Sequence, residues 1–299
     1  MLSSAMGNEI NPNMVFLIGE TMWKNGAKCA ACLTFDCDGD ISWKNIMKRT
    51  GAVKEGEEYN PVVLSMGQYG PNVAIPRILK FLENHEIKGC FFVPGLLAEQ
   101  RPELVKEIDR KGMEIGHHGY AHLNPSMLGE KGEREEMEKG LHALEEITGR
   151  RPKGYRAPAF DISSKTLDIL VEEGFVYESN MMAWETPYVH EREKGKIVEI
   201  PFHWCTMDWT YFAFNFFPPL EYQSGISSQE AVFQIWSEEF EGLREEGALF
   251  TIVMHPQAIG RPSRMRMLDR IVKLMRSKGD VWIATPLEIA EYWIEQGYP

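Results

Sequence analysis

At 299 residues, with 43% hydrophobic and 25% charged side chains, the chain can form one large α/β barrel or two ordinary domains, and it lacks the bias of fibrous or disordered proteins. A net charge of −12, a pI near 5.3 and scattered Lys and Arg exclude the basic stripe with which nucleic-acid binders displace counterions. No run reaches the roughly 18 apolar residues of a membrane span, and Met1 to Pro12 shows no basic segment followed by an apolar one, so a cytoplasmic setting without membrane partner is expected.

From Ala27 onward, short apolar runs alternate with segments of helical period, the pattern of repeated βα units. The first expected strand, 27–36, contains Cys29-Ala30-Ala31-Cys32. That pair has redox spacing but lies inside an apolar run, not at a helix start, so buried thiols are expected, and five cysteines in all suit a reduced compartment. The stretch 40–70 has no clear period and is long for a connection, as functional loops often are. A helix then opens at Pro71-Asn72 with Ile75, Ile78, Leu79 and Leu82 on one face, followed by a strand at 89–93. Pro102 opens a helix burying Leu104, Val105 and Ile108, and a strand follows at 114–117. Helix 130–148 alternates charge signs from Glu130 to Glu146, as a solvated face does. After it come strand 154–156, helix 164–173, strands 176–178 and 197–201, helix 228–246, strand 249–254, helix 264–278, strand 281–284 and helix 286–297. Seven or eight such units imply a closed (β/α)7-8 barrel, with residues 1–26 as an N-terminal extension and 27–299 as one domain, since no linker or repeat divides the chain.

Four strand ends carry the chemistry. The carboxyl ends of barrel strands face the active site, and there the first strand places Asp36, Asp38 and Asp40. Carboxylates after a strand also make turns and helix caps, so this segment alone leaves both readings open. The second segment runs from Glu114 to His122, with His118 and His122 at four-residue spacing. In a helical turn that spacing points both imidazoles the same way, and neutral imidazole suits a zinc-like divalent metal. Two histidines and one carboxylate leave coordination positions open for water, as in catalytic sites. The third segment offers Arg156, which would lower the pKa of a neighbouring carboxylate and orient it, and the fourth offers His255 as a proton donor for an amine leaving group. Each of these two could also be a packed or capping residue.

Together the segments resemble the ordered motifs of the polysaccharide deacetylases, the carbohydrate esterases that include chitin and peptidoglycan N-deacetylases. Thr34-Phe35-Asp36 matches the first motif, which implies Asp36 as base and Asp38 as metal ligand. Cys37 displaces the second Asp from its commonest position, as in the cytoplasmic peptidoglycan-deacetylase-like and allantoinase-like branch. His118 and His122 match His-x-x-x-His, leaving His117 as a bystander or second-layer residue, and Arg156-Ala157-Pro158 matches the Arg-Ala-Pro motif. The resemblance gives Arg156 the task of positioning Asp36 and places an oxyanion-binding N–H near Ala159. Ile252-Val253-Met254-His255 is a looser match to Leu-x-x-His, and Asp208-Trp209 resembles the Asp-Trp element. The likeness covers about 27–290 and implies a distorted barrel of seven strands.

The same resemblance implies a metal-dependent hydrolase of a non-peptide amide, with zinc as its metal and cobalt, nickel or iron as alternatives. An N-acetylated sugar is the family's usual substrate. Segments 70–77 and 255–262 resemble the branch that also opens cyclic imides and ureides, so a small-molecule amide is the alternative. A non-enzymatic alternative is a carbohydrate-binding barrel whose chemistry has decayed; Asp36, Asp38, His118, His122, Arg156 and His255 are all present against it. The aromatic run 202–217 could line a sugar-stacking pocket or cover a subunit contact, and a homo-oligomer, with the tetramer usual in that branch, is expected.

Overall fold

A computed structural model describes residues 23–220 and 223–299; residues 1–22 of the expected N-terminal extension lie outside the described residues. Strand β1 (Cys29–Asp36) is buried on both faces along its whole length, as the centre of a parallel sheet requires. Helices α1 (Ile41–Arg49), α2 (Pro61–Tyr69) and α3 (Ile75–Asn84) follow. Next are β2 (Cys90–Val93), α4 (Gly95–Gln100), α5 (Pro102–Arg110), β3 (Glu114–His117), α6 (Gly129–Thr148) and β4 (Gly154–Tyr155). The chain continues through α7 (Thr166–Glu172), β5 (Tyr177–Glu178), β6 (Tyr188–Arg192), β7 (Gly195–Glu199), α8 (Trp209–Phe212) and α9 (Gln229–Glu245). It closes with β8 (Leu249–Met254), α10 (Pro256–Ile259), α11 (Pro262–Lys278), β9 (Val281–Ile283) and α12 (Pro286–Gln296).

Among the described residues one nine-stranded sheet has the order β6-β7-β5-β4-β3-β2-β1-β8, with β9 paired to β1. Strand β6 alone runs antiparallel, as a hairpin with β7. The parallel series β7-β5-β4-β3-β2-β1-β8 is the seven-stranded distorted barrel that the resemblance implies. Its ladder is interrupted between β7 and β8, where Met207 instead bridges to Val253 and the Asp208 N–H donates to the Val253 carbonyl at 3.0 Å. That irregular segment delivers Asp208 to the end of β8.

The two-residue period of the strands sorts their side chains. From β1, Ala31, Leu33 and Phe35 pack outward with Ile75, Leu79 and Leu268 of the helical layer. Ala30 and Cys32 face the interior with Phe92, Tyr177 and Val198, closed at the strands' amino ends by Trp293 of α12 and by Trp23. Cys29 and Cys32 therefore point to opposite faces, and burial pushes both thiols up to about 12. Both are free, buried thiols packed on opposite sides of the strand.

Three expectations need correction. The stretch 40–70 is not an unstructured loop; α1 and α2 lie in it, too short for their period to register, with a small core of Trp43, Met47, Val53 and Val63. The helix expected to open at Pro71 begins at Pro61 and continues through a π turn at Gly70–Ala74 into α3, the wider turn accommodating the prolines' missing N–H groups. Strand β6 escaped notice because Glu191 to Lys196 obscure its alternation with charge.

Candidate active site at the carboxyl ends of the strands

The period that packs the barrel also aims its polar residues. Counting inward from Ala30 and Cys32, Thr34 and Asp36 share that face, and Asp38 continues it one step beyond the strand. Between them Cys37 joins the outer apolar cluster, its thiol pushed well up by burial, and its N–H still bonds the Phe92 carbonyl at 2.9 Å. The interposed cysteine thus lets two carboxylates face the same interior. Adjacent histidines separate in the same way after β3. His118 turns inward, whereas His117 turns outward, accepting from the Gly119 N–H at 3.1 Å and donating to the Met137 carbonyl at 3.1 Å. Burial lowers His117 to about 3, so it is a neutral structural imidazole.

Arg156, just beyond β4, is fully buried with its guanidinium 4.3 Å from the Phe92 ring centre. One nitrogen donates to Asp36 Oδ1 at 2.9 Å and to Thr34 Oγ1 at 2.8 Å. The others reach the Ser179 carbonyl at 3.2 Å and the Ser179 hydroxyl at 2.8 Å. This fork fixes the Asp36 carboxylate in orientation and keeps its buried charge paired. The other Asp36 oxygen faces His255 Nε2 at 4.0 Å.

Asp38 Oδ1 lies 3.5 Å from His118 Nε2 and 3.4 Å from His122 Nε2, and has no hydrogen-bond partner among the described residues. Burial pushes the Asp38 carboxyl up, but the two imidazoles facing it outweigh this and hold it well below the usual range. His118 Nδ1 is 2.7 Å from the Arg156 carbonyl; a carbonyl only accepts, so Nδ1 carries the proton and Nε2 turns its lone pair toward Asp38. The sequence expectation of a helical turn between His118 and His122 is not met. Residues 118–122 form an irregular loop in which Gly119 (φ +71°) and His122 (φ +55°) take left-handed backbone, bringing the ring centres to 5.0 Å.

That loop is held by residues sequence reasoning missed. Asn45 of α1 donates to the carbonyls of Ala121 and His122, both at 2.9 Å. Glu136 of α6 accepts from the N–H groups of Tyr120 and Ala121 at 3.2 and 2.8 Å. Nearby Glu133 is buried and accepts from the hydroxyls of Ser163 and Thr166. The charge run in α6 is therefore not wholly a solvated face; the helical spacing of Glu133, Met137 and Gly140, all buried, was the available signal.

His255 follows β8, its Nδ1 2.8 Å from Asp208 Oδ1 and its N–H donating to Asp208 Oδ2 at 2.9 Å. Burial alone would lower the imidazole, but the Asp208 carboxylate, reinforced by Asp38 and Asp36, pushes it up to about 9. Asp208, which the Asp-Trp likeness pairs with Trp209, is fully buried behind His255. The Trp209 ring lies 4.7 Å from the His255 ring and 5.6 Å from that of Trp43. Those two tryptophans, with Met66, Phe214 and Gln257, line a cleft of about 490 Å³. Gln257 donates to Asp38 Oδ2 at 3.4 Å, joining cleft to carboxylate. Ala159 is exposed beyond β4, and both it and Phe160 have φ +56°; a Cβ on Gly119 would come within 3.3 Å of Pro158 Cγ, so the loops after β3 and β4 abut.

A model of the family described as polysaccharide deacetylase matches residues 57–177, a stretch containing His118, His122 and Arg156 but not Asp36, Asp38 or His255. A peptidoglycan deacetylase from Helicobacter pylori is 28% identical over 269 residues, covering 81% of this chain and 90% of the relative. A crystal structure from Mycobacterium smegmatis, assigned to the polysaccharide deacetylases, is 33% identical, covers 93% of this chain and 94% of its own, and has a TM-score of 0.85. An allantoinase structure is 24% identical, covers 99% and 98% of the two chains, and has a TM-score of 0.80, a likeness of fold.

Proposed function

The chain belongs to the polysaccharide deacetylase family, and we propose that it is a metal-dependent hydrolase whose working residues are those gathered at the carboxyl ends of β1, β3, β4 and β8. It acts on a carbon–nitrogen amide bond other than a peptide bond, with removal of acetyl from an N-acetylated sugar as the leading reaction. The observation that carries this reading is the orphaned Asp38 Oδ1 facing two imidazole nitrogens at 3.5 and 3.4 Å. Leaving a buried polar atom unsatisfied costs roughly 1–3 kcal/mol, whereas a carboxylate and two neutral imidazoles are a donor set for a divalent metal. Zinc is the proposed occupant, with cobalt, nickel and iron compatible.

Asp38, His118 and His122 would hold that ion, which when bound supplies Lewis-acid polarisation of the substrate carbonyl and a lowered pKa for water. Asp36, oriented by Arg156, accepts the proton of the attacking water. The backbone N–H of Ala159 donates to the oxygen on which negative charge develops. His255, kept protonated by Asp208, gives its Nε2 proton to the departing nitrogen. Trp209, backed by the buried Trp43, supplies flat apolar surface to the substrate from the cleft wall.

Ring opening of a cyclic imide or ureide is the second reading. It is favoured by the cleft's volume of about 490 Å³, in the range of sites for small molecules, with the same attacking chemistry. Zinc-loaded protein incubated separately with N-acetylglucosamine oligomers and with a panel of cyclic imides separates the two by which is consumed. If Asp38→Ala retains both metal and hydrolysis, the site assignment is wrong.

Residues 27–299 form the catalytic domain in this reading. No helix among the described residues is long and apolar enough to cross a membrane. Cytoplasmic residence is proposed on the branch resemblance, and nucleic acid is disfavoured as a partner by the net charge of −12. Assembly into a homo-oligomer is supported by exposed Phe216, Phe217 and Ile226 in and beyond the aromatic run.

A further inference from the structure

Beyond the site at the strand ends, a second group of side chains shares its signature. Glu178 ends β5, Glu199 ends β7, and the two are direct partners in the parallel ladder. Tyr188 of β6 is the antiparallel partner of Glu199, and His190, two residues on, projects to the same face. Register alone therefore lines up two carboxylates and a phenol across three strands, with an imidazole on the diagonal.

Glu178 and Glu199 are fully buried, and Tyr188 and His190 are each 8% exposed. One oxygen of each carboxylate is occupied: Glu199 Oε1 accepts the N–H groups of Asn180 and Met181, both at 3.1 Å, and Glu178 Oε2 accepts from the Asn180 side chain. Their other oxygens, His190 Nε2 and Tyr188 Oη have no hydrogen-bond partner among the described residues. Ligand atoms of the two glutamates and His190 all lie within 4.8 Å of one another, and His190 Nε2 is 3.4 Å from Glu178 Oε1. No Lys or Arg pairs with either glutamate among the described residues.

Two buried carboxylates side by side require a neutralising partner. A proton shared between them would satisfy two oxygens but leave His190 Nε2 with only a 3.4 Å approach to Glu178 Oε1, and Tyr188 Oη without a partner. A single divalent cation satisfies both carboxylate oxygens and the imidazole nitrogen at once.

We propose that Glu178, His190 and Glu199, with Tyr188 beside them, form a second, structural site for a divalent transition metal of the zinc or manganese class. Oxygen and imidazole donors select such borderline ions over soft ones. With its donors buried, the site is of the closed, structural kind. It ties the β6–β7 hairpin to β5 at the margin where the barrel ladder is interrupted. It also anchors Asn180, whose side-chain oxygen accepts the Ala157 N–H at 2.7 Å and so steadies the segment beside Arg156. The site does not depend on the hydrolase reading.

The test is metal stoichiometry. The full chain is expressed with zinc, and in parallel with manganese, dialysed against metal-free buffer and analysed by inductively coupled plasma mass spectrometry. With zinc, wild type is expected to hold two equivalents, Asp38→Ala/His118→Ala one, and His190→Ala/Glu199→Gln one. Because the last pair could fail to fold, anomalous scattering from wild-type crystals provides a second readout, with a peak expected between Glu178, His190 and Glu199. Retention of one equivalent in Asp38→Ala/His118→Ala, with a peak at this cluster, supports the proposal even if the protein proves not to be a hydrolase. Wild type without an anomalous peak at this cluster in either metal overturns it and assigns the pair a shared proton.

Discussion

The two histidine–carboxylate groups of this molecule are built in opposite ways. Asp38, His118 and His122 sit on the irregular ends of β1 and β3, where left-handed backbone at Gly119 and His122 folds one imidazole back over the other. Glu178, His190 and Glu199 lie on regular strands, brought together by ladder register. The first group faces a cleft through Gln257, as a group that must meet substrate does; the second has its carboxylates sealed. Loop ends therefore place chemistry beside the cleft, and register packs it between strands.

The largest expected effect that sharpens this contrast is at the first group. Removing the ion's contribution of several kcal/mol, at 1.36 kcal/mol per tenfold, should lower kcat/KM of Asp38→Ala by about 10³-fold or more, with unfolding by circular dichroism unchanged in cooperativity. A fall of less than tenfold breaks the assignment.

His255→Ala follows, at about 10²–10⁴-fold if the imidazole is the general acid. Its folded-state pKa, raised to about 9, gives the sign. The acid form is present below that value, so activity should fall as pH rises through about 9. The same linkage makes the Asp208 contact contribute stability fully below the unfolded value near 6.5, and this is lost as pH rises through about 9. Asp208→Asn should move the alkaline limb of the rate profile to lower pH; a limb that stays in place means His255 is not the titrating acid.

A smaller effect tests the loop geometry. An added Cβ at Gly140 would lie 2.3 Å from His117 Nε2 and 2.8 Å from the Gly119 carbonyl. Gly140→Ala should therefore destabilise by about 1–3 kcal/mol, as overpacking does, and reduce metal affinity by displacing the His118–His122 loop. Thermal denaturation with zinc titration reads both; unchanged affinity would show that the loop is set elsewhere. Smallest is the comparison within α6: Glu136→Ala, which frees two loop N–H groups, should weaken zinc binding. Arg134→Ala, on the exposed side with Glu130 and Glu172, should change stability by under about 1 kcal/mol. Equal effects would remove the distinction between a working and a solvated face.

The same contrast explains what could be read from the sequence. Strands β1 and β8 were legible because they are almost wholly apolar up to Asp36 and His255, and β3 and β4 because His118 and Arg156 stand just past their ends. Strand parity even separates His118 from His117. The route by which His122 reaches Asp38 was not legible, because spacing of four suggests a helix and only backbone angles at Gly119 and His122 show otherwise. Asn45 was hidden in a stretch whose helices are too short to show a period, and Glu136 in a run of charges that resembles a solvated surface. Glu178, His190 and Glu199 are invisible as a motif, since the strand pairing that joins them includes β6, whose pattern is dominated by exposed charge.

The most direct test of the central claim is to strip the protein with a chelator and restore zinc stepwise while following release of acetate from N-acetylglucosamine oligomers and ring opening of cyclic imides. Hydrolysis of one substrate class should vanish on stripping, return as the Asp38 site refills, and not return in Asp38→Ala. Full activity in the stripped wild-type protein would contradict the account.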